Sequence, residues 1–104
     1  MKTYFDRLWE LIPRGRENAL PMKDLATILN ISERAVRILV QKAREHGEPI
    51  CSEWDGSGGY FYPADMQEAR DYIRKQRARI KSARAALRGV EKYLQFFAVD
   101  DIVE

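Results

Sequence analysis

The chain has 104 residues, 45% of them hydrophobic, which is enough for one modest core and too little for a two-domain enzyme. Its 18 Lys and Arg against 16 Asp and Glu leave a net charge of +2, which by itself favours no class of partner. The distribution of that charge says more: residues 1–64 carry nine basic and nine acidic side chains, residues 65–95 nine against four, and residues 96–104 three acidic and none basic. A single cysteine, Cys51, excludes an intramolecular disulfide framework and fits a reducing compartment. No run of about 18 apolar residues occurs, and the N-terminus lacks the apolar centre of a signal peptide, so a cytoplasmic protein with no membrane partner is expected.

In chain order, Tyr4, Phe5, Leu8, Trp9 and Ile12 recur at steps of three and four and predict one apolar stripe on a first helix. Thr3 caps it with Asp6 three residues on, and Pro13 ends it, because the residue before a proline is pushed out of the helical region. Residues 14–18 read as a polar loop. A second helix runs from Pro21 to about Leu29 and stops at Asn30, a residue type that tolerates the left-handed conformation. Ser32 caps a third helix, which continues to Gly47 with Pro49 beyond. Residues 50–54 and 60–62 are β-prone runs joined by a glycine-rich tip, the pattern of a hairpin. Asp65 with Glu68 opens a fourth helix that runs uninterrupted to about Gln95, about 45 Å at 1.5 Å per residue. The expected fold class is mainly α with a small β-hairpin, an α+β arrangement. Residues 1–63 form the first unit, 64–97 a long basic amphipathic helix and 98–104 an acidic tail.

Helices two and three carry the first specific signal. Leu25, Leu29, Ile31, Val36 and Leu39 are apolar where two steeply crossed helices must pack, and Ala26 is small where they come closest. Asn30 falls at the turn position that requires a positive φ, so a helix-turn-helix is expected. The stretch from Leu25 to Pro63, with Leu29-Asn30-Ile31-Ser32, the run Gln41 to Gly47 and the closing Gly59-Tyr60-Phe61-Tyr62-Pro63, resembles the winged-helix DNA-binding domain at the N-terminus of biotin-operon repressors. The first 90 or so residues are also similar to small winged-helix proteins of bacteriophages and prophages, through the runs Pro13 to Ala19 and Pro49 to Ser52. Nothing in the chain resembles the biotin ligase domain of those repressors, so biotin chemistry does not carry over.

The resemblance implies a winged helix-turn-helix whose third helix enters the major groove of double-stranded DNA while the wing touches the backbone or minor groove. Val36, Leu39, Val40 and Ala43 are expected inward on that helix, leaving Glu33, Arg34, Arg37, Ile38, Gln41, Lys42 and Arg44 outward or sideways. Arg34, Arg37 and Gln41 share one face; arginine suits the guanine O6/N7 pair and glutamine the adenine N6/N7 pair. The expected DNA contacts are Ser32, Glu33, Arg34, Arg37, Gln41 and Lys42 on the helix, with Ser57 and Gly58 at the wing. That tip holds no Lys or Arg, so only its backbone amides are offered to phosphates.

The second signal is in helix four. Met66, Ala69, Ile73, Gln76, Ile80, Ala83, Leu87, Val90, Leu94 and Phe97 alternate steps of three and four without a break, the 3.5-residue repeat of a coiled-coil seam. All but Gln76 are apolar, and a core glutamine fixes register by bonding its counterpart. A homodimer is expected through Ile73, Gln76, Ile80, Ala83, Leu87, Val90 and Leu94, with packing along the chain's own body as the competing explanation of the stripe. Nine Lys and Arg occupy the other faces between residues 70 and 92, opposed there by Asp71 and Glu91, so a polyanion or an acidic protein partner is expected beside this helix.

Enzyme chemistry is not expected. His46 stands at a helix end where it serves the last carbonyls, and Cys51 beside Ile50 reads as a buried small side chain. The residues form no metal-ligand cluster, and the glycines at 56, 58 and 59 lie between two strands rather than between strand and helix, so no cofactor is implied. The expected function is sequence-specific DNA binding, as a transcription regulator or a phage replication-associated factor. The alternative is a non-enzymatic interaction module whose cationic helix docks on an acidic protein.

Overall fold

The computed structural model describes residues 3–53 and 58–103, without the side chains of 98–103. Four helices and one hairpin follow one another: α1 (Tyr4–Leu11), α2 (Met22–Leu29), α3 (Glu33–Glu45), β1 (Cys51–Glu53), β2 (Gly59–Phe61) and α4 (Met66–Val103). The chain divides into two compact units, Met1–Tyr72 and Ile73–Glu104.

In the first unit, α1 opens with the expected capping box. Thr3 Oγ1 accepts from the Asp6 amide at 3.2 Å and the Thr3 amide donates to Asp6 Oδ2 at 3.1 Å, which satisfies amides that an uncapped helix start leaves bare. The helix ends at Leu11 because Ile12 is extended (ψ 120°) ahead of Pro13. The single apolar stripe needs correction. Leu8 and Ile12 are buried and Leu11 packs beside them, but Tyr4, Phe5 and Trp9 are exposed. Phe5 meets the His46 ring edge-on at 5.8 Å and Trp9 meets Tyr62 at 5.0 Å, so these aromatics border the core rather than fill it. His46 accordingly serves the end of α3 through its backbone amide, which donates to Lys42 and Ala43 carbonyls, while its ring packs on Phe5.

The turn between α2 and α3 follows the sequence closely. Asn30 is left-handed (φ 57°), and Ser32 Oγ accepts from the Ala35 amide at 3.0 Å to start α3. Leu25, Ala26 and Leu29 of α2 and Val36, Val40 and Ala43 of α3 are buried together with Leu8, Ile12, Ile50 and Tyr62, while Ile31 and Leu39 pack against this cluster. Side chains of this size each contribute about 1.5–3 kcal/mol when removed from water.

The hairpin pairs Cys51 with Phe61, Ser52 with Tyr60 and Glu53 with Gly59, antiparallel. Trp54 and the tip 55–57, including Ser57, lie outside the described residues. The loop expected at residues 14–18 lies within a segment, Pro13 to Leu20, that bonds to the far edge of β2 and to Tyr62 just beyond it. Leu20 and Tyr60 exchange both backbone hydrogen bonds at 2.9 and 2.8 Å, the Tyr62 amide donates to the Pro13 carbonyl, and the Gly15 amide donates to the Tyr62 carbonyl. A 3-10 turn over Arg16–Asn18 lies between these contacts, with Gly15 at φ 97°. This approach requires a glycine at 59: a Cβ there would lie 2.9 Å from Ala19 Cβ and 3.1 Å from the carbonyl carbons of Ala19 and Leu20.

Asp65 caps α4, its Oδ1 accepting from the Glu68 amide at 2.9 Å, and Glu68 Oε1 accepts from the amides of Arg16 and Ala64. The helix does not stop near Gln95 but continues to Val103, 38 residues or about 57 Å. The segment 98–104, read from sequence as a tail, is therefore helical through Val103. In the second unit the apolar seam is open to solvent: Ile73, Ile80, Leu87, Val90, Leu94 and Phe97 are each 45–67% exposed. Among the described residues, no helix is long and apolar enough to cross a membrane.

Candidate nucleic-acid interface

The side of α3 that the core leaves uncovered is the candidate site. With Val36, Val40 and Ala43 turned inward, the 100° step between residues leaves Arg34, Arg37, Ile38, Gln41, Lys42 and Glu45 outward, all exposed. Arg34, Arg37 and Gln41 lie within about 60° of one another, as the spacing predicts. Gln41 Nε2 lies 3.4 Å from Glu45 Oε1, a long contact that leaves the amide able to exchange partners. Glu45, not anticipated from the sequence, puts a carboxylate in the middle of this face.

A cleft of about 670 Å³ opens beside the same face. Its walls are Pro21, Met22 and Lys23 at the start of α2, Glu33, Arg37, Val40, Gln41 and Arg44 of α3, and Ser52, Glu53 and Gly58–Tyr60 of the hairpin. Four of the anticipated residues, Glu33, Arg37, Gln41 and Gly58, therefore come together. Ser32 and Glu33 border a second, shallower hollow with Lys23 and Asn30. Arg34 and Lys42 are exposed on α3 but outside the cleft.

Besides Glu45, Lys23 and Tyr60 are residues of this site that sequence reasoning missed. Lys23 belongs to another helix, and Tyr60 looked like a strand residue with no polar role. Its phenol is raised above the ordinary tyrosine range, mainly by burial, and stays a neutral donor at physiological pH.

Of the outward or sideways positions expected for Arg44, it takes the sideways one. It is half-buried, with Nε donating to the Ile50 carbonyl at 2.9 Å and Nη2 to Ser52 Oγ at 3.1 Å, and its guanidinium lies 6.0 Å from the centre of the Tyr72 ring. Those bonds fix β1 to α3. Arg16 forms an ion pair with Glu53, whose carboxylate is largely shielded, so the Glu53 charge in the cleft is compensated from behind. Cys51 is buried, and its thiol is pushed up to about 11 by desolvation, with Arg44 opposing and Glu68 adding to the shift. At neutral pH it is a protonated thiol and a poor nucleophile. Among the described residues no group of three His, Cys, Asp or Glu is arranged to hold a metal ion.

No protein-family model matches the chain, and no curated protein or solved structure does either.

The second unit holds the other anticipated set. Ile73, Ile80, Ala83, Leu87, Val90 and Leu94 form one exposed apolar line, interrupted by half-buried Gln76. Beside it runs a line of cations, Arg74, Arg77, Lys81, Arg84 and Arg88, also at steps of three and four and all exposed. Arg77, Lys81, Arg84 and Arg88 surround a shallow hollow floored by Ile80.

Proposed function

We propose that the first unit is a winged helix-turn-helix that binds double-stranded DNA, with α3 in the major groove, and that the seam of α4 joins two copies. The observation that carries this reading is the exposed face Arg34, Arg37 and Gln41 on a helix held by a three-residue turn, flanked by a cleft between α2 and the hairpin. The groove is about 12 Å wide and admits one helix. Arg34 and Arg37 have the donor fork for a guanine edge, Gln41 has the paired donor and acceptor for adenine, and Ile38, 48% exposed, offers an apolar contact to a thymine methyl. Lys23, on the neighbouring helix, is the phosphate-contacting cation. On this reading the protein is a sequence-specific regulator of transcription or a replication-associated factor of a bacterium or phage.

The test is selection of bound sequences from a random duplex library, repeated with Arg37→Ala. The wild type should enrich one motif, and Arg37→Ala should lose preference at one position and about 1–3 kcal/mol on the selected site. No enrichment by the wild type refutes the reading. The cation line of α4 favours a second reading, in which that helix docks on an acidic protein. It predicts duplex affinity unchanged by Arg77→Ala and Arg84→Ala together.

A further inference from the structure

We infer that the apolar face of α4 is covered by the same face of a second copy running in the opposite direction, with Ile73 of one helix level with Phe97 of the other. The inference rests on the proposed self-association and adds its geometry. The seam within residues 73–97 has eight positions, exposed except for half-buried Gln76, alternating between one set, Ile73, Ile80, Leu87 and Leu94, and another, Gln76, Ala83, Val90 and Phe97. In a parallel pair each residue meets its own copy, so Ala83 faces Ala83 and Phe97 faces Phe97, leaving one layer starved and another crowded. Both faults disfavour close packing.

Reversing one helix exchanges the two sets. The register that uses all eight positions has its centre at residue 85, and its layers are Ile73 with Phe97, Gln76 with Leu94, Ile80 with Val90 and Ala83 with Leu87, each occurring twice. Ala83, the one small residue of the seam, then meets Leu87, and Phe97 meets Ile73 instead of its own copy; Gln76 meets Leu94 and gives up the Gln76–Gln76 bond of a parallel pair, and the pairing extends about 36 Å. The reversed face thus pairs with itself about a two-fold axis perpendicular to the helices.

The flanking charges select the same direction. In the antiparallel register Arg77 of each helix lies one 3 Å axial step from Glu91 of the other, giving two opposite-charge contacts against one Arg84–Arg84 contact on the axis. In a parallel pair Arg79 faces Arg84 twice and Ala86 faces Glu91, giving two repulsions and no ion pair. Glu91, the one acidic residue from 73 to 97, is therefore the orientation determinant.

The test uses the full chain carrying Cys51→Ala, with Ile80→Cys and Val90→Cys made as separate variants. Sedimentation equilibrium should give dimers for both. On mild oxidation neither variant should cross-link with itself, because like positions are 10 or more residues apart along the antiparallel pair, whereas an equimolar mixture should cross-link readily. In addition, Arg77→Glu should weaken the dimer about tenfold, and adding Glu91→Arg should restore it. Dimers whose single variants cross-link with themselves, or a double variant no tighter than Arg77→Glu, overturn the antiparallel arrangement and leave self-association standing. A monomeric wild type at tens of micromolar overturns both, while leaving DNA binding by the first unit to the library selection.

Discussion

Gly59→Ala tests the closest approach in the first unit. The added methyl would lie 2.9 Å from Ala19 Cβ and 3.1 Å from two carbonyl carbons, well inside carbon–carbon contact. The two carbonyl carbons are backbone, and Ala19 Cβ is attached to it; that backbone is fixed by the reciprocal Leu20–Tyr60 hydrogen bonds, so relief requires stretching bonds that contribute about 0.5–1.5 kcal/mol each. Overpacking of this kind costs about 1–3 kcal/mol, and the rigidity of the neighbours puts the expectation at the upper end, about 2–3 kcal/mol. In a unit of this size that lowers the melting temperature by roughly 10–15 °C. Ala19→Gly removes the 2.9 Å contact but leaves the two backbone contacts, so the double variant should recover part of the loss and no more. Urea denaturation followed by circular dichroism, analysed as a double-mutant cycle, should give a favourable coupling of at least about 0.5 kcal/mol. A Gly59→Ala variant within about 0.5 kcal/mol of wild type, or additive behaviour of the two changes, would refute the account of this crossing.

Burial raises the Cys51 thiol from its ordinary 9.0 to about 11, so the folded state retains a proton that the unfolded chain releases; stability should be constant below about pH 9 and decline as pH rises toward 11. Thermal melts across that range should show the decline, and Cys51→Ala should make it shallower. Tyr62, raised to about 12 by burial and then by Glu48, adds a similar loss above pH 10, which the Cys51 variant should retain. Ser32→Ala deprives the Ala35 amide of its cap and should cost about 1 kcal/mol, read as a lower urea midpoint with unchanged slope.

What the sequence disclosed was mostly local. Thr3 and Asp6, Asn30 and Ser32, and Asp65 and Glu68 each act within three or four residues, so their spacing states their role before any tertiary contact forms. The inward set of α3 was equally legible because helical periodicity depends on one angle. Contacts between distant segments were not. The edge pairing of Leu20 with Tyr60 uses backbone groups that every residue possesses, so nothing in residues 14–20 announced it. Phe5 and Trp9 share the helical spacing of Leu8, but α1 has eight residues and buries a narrower strip than the stripe they outline. Arg44, expected outward or sideways, lies sideways, but its burial was not legible because helical position gives direction and not depth: it stands at the edge of the face, where the hairpin reaches over it. Lys23 entered the site from another helix, which no pattern within α3 could show.

The Arg44 bonds to Ile50 and Ser52 also alter how much salt should matter to the first unit. Duplex DNA carries condensed counterions that leave when a cation reaches a phosphate, and this release makes affinity fall by about 0.9 log units per contact for each log unit of salt. A guanidinium held against its own hairpin releases none, and neither does Arg16 while it holds Glu53. With both counted, α2, α3 and the hairpin edge would offer six cations and a slope of about 5.4; with Lys23, Arg34, Arg37 and Lys42 alone the limit is about 3.6. On the proposed DNA-binding reading, ion release would therefore be a smaller share of the binding free energy than the arginine count implies, and the remainder would fall to shape and base contacts that salt leaves intact.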